Sequence, residues 1–272
     1  MSYARIDGAE VHYTLSGPDG APVVMFLHGL GSSGDDWVHQ TAALGDYRVL
    51  TVDLPGHHRS ARAARPVSIE TIAGTMAQLL AVLSVDRVHA VGLSLGGCVA
   101  LALALRAPER VASLVLVNSF AYLRPAGLRA AARGAARLAM AVLAPMPRLA
   151  ALVAREAFPG PHQEVLRERA ALRLAANSRK AYLACLAALI RFDVRKRLGA
   201  VRCPTLVVAG ERDRTVPLAA KILMAGAIPG ARLEIVAHSG HVTAYDRPEV
   251  LNRLIRDHLT LIHQGFRTSA SG

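Results

Sequence analysis

An apolar strand pattern, Arg87–Val91, runs into Gly92-Leu93-Ser94-Leu95-Gly96-Gly97, and a helix pattern, Leu95–Arg106, begins at once. A chain that turns from strand to helix within two residues strains the backbone at the apex. Small neighbours two residues to either side, here Gly92 and Gly96, let the two limbs pass closely, so the Ser94 hydroxyl stands at the carboxyl end of the strand. The start of the helix adds unpaired N–H groups and partial positive charge beside it. A phosphate-cradling loop is set aside. The chain has no GxxxxGK[ST] motif, and no GxGxxG follows its first parallel strand.

The remaining sequence alternates in the same way. Tyr3–Ile6 and Val11–Leu15 flank an Asp7-Gly8 turn and read as a hairpin. Strand patterns follow at Val23–Leu27, Arg48–Val52, Ala112–Val117, Thr205–Ala209 and Leu233–Val236. Helix patterns lie between them at Asp35–Leu44, Ser68–Leu83 and Leu218–Ala227, and a last one runs from Pro248 to about Ile262. Short apolar strands alternating with helices predict an α/β fold, a mostly parallel sheet of eight strands covered on both faces.

Residues 120–198 break the alternation. They are rich in Ala, Leu and Arg, and prolines at 125, 145, 147, 159 and 161 punctuate them. Helices are expected near 126–143, 148–157, 162–176 and 178–190, forming a lid inserted after the sixth strand. The domain reading is a core of 1–119 and 199–265, a lid subdomain of 120–198, and a tail from 266 to 272 that frays. Of the formal charge of +12, the stretch Phe120–Arg197 carries +11. That excess suits an anionic substrate, or an anionic membrane met weakly through a stripe of Arg129, Arg133 and Arg137, four residues apart on one helix face. It equally suits an ordinary exposed helical surface. No aromatic pattern or recognition motif accompanies the charge, so a nucleic-acid partner is not expected.

Three cysteines, none in a CxxC pair, make neither a disulfide scaffold nor a zinc ribbon. The N-terminus lacks an apolar signal-like core, and no apolar run reaches the 18 residues of a membrane span, so a cytoplasmic protein is expected.

A serine needs a base within hydrogen-bond reach and a group that orients the base. The acid belongs on a loop after a later strand, and Val208-Ala-Gly-Glu211-Arg-Asp213 offers two carboxylates. Asp213 has the better reach and is preferred to Glu211. After Val117 the chain has Asn118-Ser119, neither an acid. The last strand leads into Ala237-His238-Ser239-Gly240-His241. His241, beyond a glycine on the loop, is preferred to His238 at the strand end. The chain order Ser94, Asp213, His241 is one of the convergent triad orders. An oxyanion hole takes two backbone donors: the N–H of Leu95 after the serine, and that of Leu30 in the His28-Gly-Leu-Gly-Ser-Ser33 loop. His28 is expected to shape that loop through its ring. Such chemistry requires no metal and no organic cofactor.

Five segments, LHGLGSS (27–33), DLPGHHRS (53–60), GLSLGG (92–97), VAGERDRTVP (208–217) and HSGHVTAYDRPE (238–249), together resemble the α/β-hydrolase fold family. The resemblance implies Ser94 as nucleophile, Asp213 as acid, His241 as base and Leu30 as an oxyanion donor. The family's DxPGHGxS pattern has glycine where His58 stands, so a side chain at the site rim, or a differently shaped loop, is expected there. Serine excludes the family's haloalkane dehalogenases and epoxide hydrolases, which use aspartate at that position. GLSxGG and Asn118-Ser119 look like small-molecule carboxylesterases and enol-lactonases of aromatic-acid breakdown. The expected activity is hydrolysis of a small ester through an acyl-enzyme. Enol-lactonase, carbon–carbon hydrolase, cofactor-free haloperoxidase or perhydrolase, and a non-catalytic binding protein stand as alternatives.

Overall fold

The computed structural model describes residues 2–62, 66–123 and 127–269, with the side chains of 129, 130, 133 and 265–269 outside that description. Asp7 and Gly8, both at positive φ (48° and 79°), form the tight turn between β1 (Ser2–Ile6) and β2 (Ala9–Ser16). β3 (Val23–Leu27), β4 (Arg48–Val52), β5 (Val88–Leu93), β6 (Val111–Val117), β7 (Thr205–Gly210) and β8 (Arg232–Val236) complete an eight-stranded sheet. The spatial order is β1-β2-β4-β3-β5-β6-β7-β8. β1, β2 and β4 pair antiparallel, and every pairing from β4 through β8 is parallel.

The strand period of two sorts side chains onto two faces. Met25, Leu27, Leu50 and Val52 point to one side, against α2 (Ile69–Val82) and α3 (Leu95–Arg106). Val24, Phe26, Val49 and Val91 point to the other, against Trp37 and the final helix, α10 (Pro248–Ser269), which contributes Leu251, Ile255 and Leu259. β3, β5 and β6 are buried along their whole length, as a parallel sheet clad on both faces requires. Ser68 caps α2 through a reciprocal box with Thr71, worth about 1 kcal/mol.

The expected helix at Asp35–Leu44 divides into a 3-10 turn, Gly34–Trp37, and a short α1, Val38–Ala43. The Gly34 N–H is taken by Asp53 Oδ1, which fixes this entry in place. α8 lies at Leu218–Ala227. One turn of helix not expected from sequence, α9 (Thr243–Asp246), precedes α10, and α10 continues to Ser269 rather than ending near Ile262. Of the tail expected to fray, 270–272 lie outside the described residues.

Between β6 and β7 the chain forms a helical insertion: α4 (Leu128–Leu143), α5 (Met146–Ala157), α6 (Glu164–Ala175) and α7 (Arg179–Arg191). Leu149, Ala150, Leu174, Tyr182 and Leu186 give it a small core of its own. Its two ends meet: Tyr122 bridges to Asp193, the Val194 N–H donates to Ala121 O at 3.0 Å, and the Arg195 guanidinium lies 3.9 Å over the Tyr122 ring. No described helix is long and apolar enough to cross a membrane.

Several histidines sit in the interior as neutral rings. His89 Nδ1 lies 2.9 Å from Ser113 Oγ, its ring is 5.3 Å from that of His263, and His258 is buried on α10. Burial pulls both His89 and His258 down to about 4, with Arg87 and Arg232 respectively acting in the same direction. The stability this confers is complete above the ordinary histidine value near 6.5 and is lost as pH falls toward 4. Urea midpoints at pH 7 and pH 4.5 are therefore expected to differ by at least about 2 kcal/mol of unfolding free energy. Equal midpoints would mean that these rings carry charge when folded.

Candidate active site

Ser94 occupies the apex between β5 and α3 at φ 52°, ψ −112°, a conformation strained for any residue but glycine. The strain persists because neighbours over-determine it. The Ser94 N–H donates to Val117 O (2.9 Å), and Ser94 O accepts from Cys98 N–H (3.1 Å) and Ser119 Oγ–H (2.9 Å). The glycines on either side are obligatory. A Cβ on Gly92 would strike the Gly96 backbone, and one on Gly96 would strike the carbonyl of Leu27.

Asp213 lies just past the end of β7 with its carboxylate fully buried. Oδ1 accepts the N–H groups of Thr215 (2.8 Å) and Val216 (3.1 Å), and Oδ2 accepts from Lys221 Nζ at 2.6 Å. His241 Nδ1 sits 3.1 and 3.0 Å from the two oxygens. Burial alone would raise the Asp213 carboxyl, but His241 and Lys221 outweigh it and hold the group ionised, well below the usual carboxylate range. With an anion as partner, His241 Nδ1 carries the proton and Nε2 presents its lone pair. Glu211 is exposed and accepts the His238 N–H (2.8 Å), while His238 Nδ1 takes a bond from Arg212 at 2.6 Å.

Two residues given no part in the site by the sequence reading hold the histidine loop. Asn118, buried and at φ 46°, donates through Nδ2 to Gly240 O (3.1 Å), His241 O (2.8 Å) and Thr243 Oγ1 (2.9 Å), while its Oδ1 accepts from Gly210 N–H at 2.7 Å. One side chain thus ties the ends of β6 and β7 to the loop carrying His241. From α9, Asp246 accepts the Gly240 N–H (2.6 Å) and the Ser239 hydroxyl (2.8 Å). The residue that matters after β6 is an amide, which a search for a third carboxylate passes over.

On the opposite side of Ser94, His28 is fully buried behind the loop that contains Leu30. Its Nε2 accepts the Leu54 N–H at 2.9 Å, so Nδ1 carries the hydrogen and donates it to Gly29 O at 2.8 Å. Burial, together with the adjacent His57, pulls this imidazole down to about 3, which keeps it neutral. Leu30 lines the cavity and Leu95 is the first residue of α3. No hydrogen bond among the described residues uses either N–H, which leaves both available to a ligand.

His58 stands at φ 45°, the left-handed region, which explains why glycine suits the equivalent position in the resembling family. Its N–H donates to Asn177 Oδ1 (3.1 Å) and its ring lies 3.4 Å from Asp53, so it shapes the loop and does not line the cavity. Asp53 also receives Arg59 Nε at 2.6 Å. Burial pushes this carboxyl up, but those bonds prevail and hold it at about 2.

Ser94, Leu30 and His241 line one cavity of about 720 Å³, roofed by the lid. Ser94 and His241 face this common space with no hydrogen bond between them. Arg137 and Arg173 line it too, opposite Glu156 and Asp36 respectively. Of the arginine stripe on α4, only the side chain of Arg137 falls among those described. It turns inward to Tyr182 Oη (3.2 Å) and Glu156. No group of three or more His, Cys, Asp or Glu among the described residues is disposed to hold a metal ion.

A strained serine at a strand-to-helix turn, a sheet of this order and an acid–histidine pair on the last two loops define the α/β-hydrolase class. Residues 22–248 match the family described as "alpha/beta hydrolase fold", and the chain belongs to that family. RutD of Variovorax paradoxus, provisionally named a carbamate hydrolase, is 34% identical over 262 residues, 93% of this chain and 97% of its own. Among solved structures, a hydrolase from Pseudomonas aeruginosa superposes with a TM-score of 0.86 at 32% identity, covering 95% of this chain and 97% of its own. The enol-lactonase of Burkholderia xenovorans superposes with a TM-score of 0.88 at 28% identity, covering 95% and 100%.

Proposed function

We propose that the protein is a serine hydrolase that cleaves small carboxylic esters or lactones through an acyl-enzyme. The observation carrying this reading is Ser94, strained on its turn and facing the cavity into which His241 projects with its Nδ1 held by Asp213. The hydroxyl attacks the substrate carbonyl while His241 Nε2 takes its proton, and Asp213 steadies the imidazolium. The N–H groups of Leu30 and Leu95 receive the developing oxyanion. Collapse of the tetrahedral intermediate expels the alkoxide, which takes the proton from His241. Water then attacks the acyl-Ser94 ester with the same histidine as base and releases the acid. The Ser94–His241 hydrogen bond forms as substrate fills the cavity, since such bonds commonly tighten only in the complex.

The substrates named for the relatives, an enol lactone and a carbamate, share a carbonyl bonded to a heteroatom leaving group. A second reading within this chemistry is a substrate that carries its own carboxylate. Arg155, Arg169 and Arg214 line the cavity without a carboxylate partner among the described residues, which leaves the pocket a surplus of positive charge.

A fluorophosphonate probe is expected to label wild-type protein at Ser94, to leave S94A unlabelled, and to react at least about 100-fold more slowly with H241A. On a panel of neutral p-nitrophenyl esters, dicarboxylic half-esters and lactones, kcat/KM is expected to favour the anionic members. A folded wild type that neither labels nor turns over any of the panel would overturn the hydrolase reading.

A further inference from the structure

α8 buries a charged residue along with its apolar face: Lys221 and Met224 are completely buried, while Ile222 is 50% exposed and Leu223 38% exposed. A lysine almost never loses all contact with water unless its charge is matched, and a buried unmatched ammonium would lose its proton instead. The match is Asp213. Nζ donates to Oδ2 at 2.6 Å and to Val216 O at 3.0 Å, and both side chains of the ion pair are fully buried. Burial pulls the Lys221 ammonium down, and the adjacent Asp213 charge acts against that.

We propose that Lys221 is a positioning residue that fixes the Asp213 carboxylate and compensates its charge, so that the Asp213–His241 pair works to lower pH than the aspartate alone would allow. The inference rests on the triad reading above. An aspartate that faces only a histidine favours the imidazolium strongly, and the histidine then remains protonated, and unable to act as base, until the pH is well raised. A second cation on the same carboxylate weakens that preference. The geometric half of the role is equally specific. The two backbone donors fix Oδ1, Lys221 fixes Oδ2, and the carboxylate is then oriented so that His241 Nδ1 meets both oxygens. The other charges facing His241 stay in place when Lys221 is changed. They are Arg214 on the same loop as Asp213, Asp246 of α9, Asp36 of the 3-10 turn, and the lid residues Arg137, Arg155, Glu156, Arg169 and Arg173 across the cavity.

The test compares K221Q, K221M and K221R by circular dichroism, by the pH profile of kcat/KM and by proton NMR titration of the His241 ring, assigned by its loss in H241Q. Glutamine keeps a donor to Asp213 and removes the charge, methionine removes both, and arginine keeps both. The acid limb and the His241 titration are expected to move up by about one pH unit in K221Q and K221M and to stay near wild type in K221R. Plateau kcat is expected to fall further in K221M than in K221Q. A folded K221Q whose limb and ring titration coincide with wild type would overturn the proposal, and this variant decides the matter if K221M does not fold. If the wild type turns nothing over, the hydrolase reading fails, while the ring titrations still decide whether Lys221 acts on His241.

Discussion

S94G is expected to be catalytically dead and yet to melt above the wild type. Loss of the nucleophile removes the acyl-enzyme route, and kcat on any ester the wild type accepts should fall at least about 10⁴-fold. The backbone gains what the chemistry loses. At φ 52°, ψ −112° a side-chain-bearing residue costs about 1–3 kcal/mol, and glycine occupies the same conformation freely. Glycine's extra freedom in the unfolded chain takes back part of that gain, which leaves about 1 kcal/mol, or roughly 2–4 °C for a chain of this size. S94A is the control. It is equally inactive, keeps the strained backbone and its bonds to Val117, Cys98 and Ser119, and should melt close to wild type. Calorimetry on the three proteins checks the order, and a melting point for S94G below that of S94A would show that the turn is not strained.

G96A should be the most damaging single methyl group in the protein. A Cβ there would collide with the carbonyl of Leu27 and come within 2.8 Å of His28 O, and neither is a side chain that can swing aside. The remedy open to the fold is to push α3 off β3, which opens the core between them and displaces the loop bearing Leu30. The expected cost exceeds about 3 kcal/mol, the upper range for overpacking, and shows as insoluble protein or a greatly lowered urea midpoint. The contrast is G134A on α4, where a Cβ meets nothing within 4 Å. In an exposed helix that change should stabilise by about 0.5–1 kcal/mol. A soluble G96A with a wild-type midpoint would mean that the close approach of helix and strand is not required.

The sheet was legible because its central strands β3, β5 and β6 are largely apolar runs of five to seven residues, and burial on both faces demands that composition. The elbow was legible because its glycines answer a steric need that no other residue meets. What escaped reading depends on contacts far apart in the chain. Asn118 joins partners at 210, 240, 241 and 243, and nothing in its own neighbourhood announces them. Lys221 sits among Leu, Ile and Met, where local pattern assigns a charged residue to the solvent side; only the buried Asp213 carboxylate reverses that. α9 is too short to leave a periodic trace, and the division before α1 follows from Asp53 taking the Gly34 N–H. At His58, where the family pattern has glycine, the backbone is left-handed and the ring lies 3.4 Å from Asp53.

The insertion between β6 and β7 leaves and re-enters the sheet through one doorway, closed by Tyr122, Asp193, Val194 and Ala121. Ser94, Asp213 and Asn118 are anchored below that threshold, in loops that belong to the strands themselves. The four helices above it are nonetheless moored to the loops beneath, since Asn177 receives the His58 N–H and donates to Gly31 O, and Arg173 pairs with Asp36. A different set spliced between the same doorposts would have to renew those moorings before the loops around Ser94 could keep their shape.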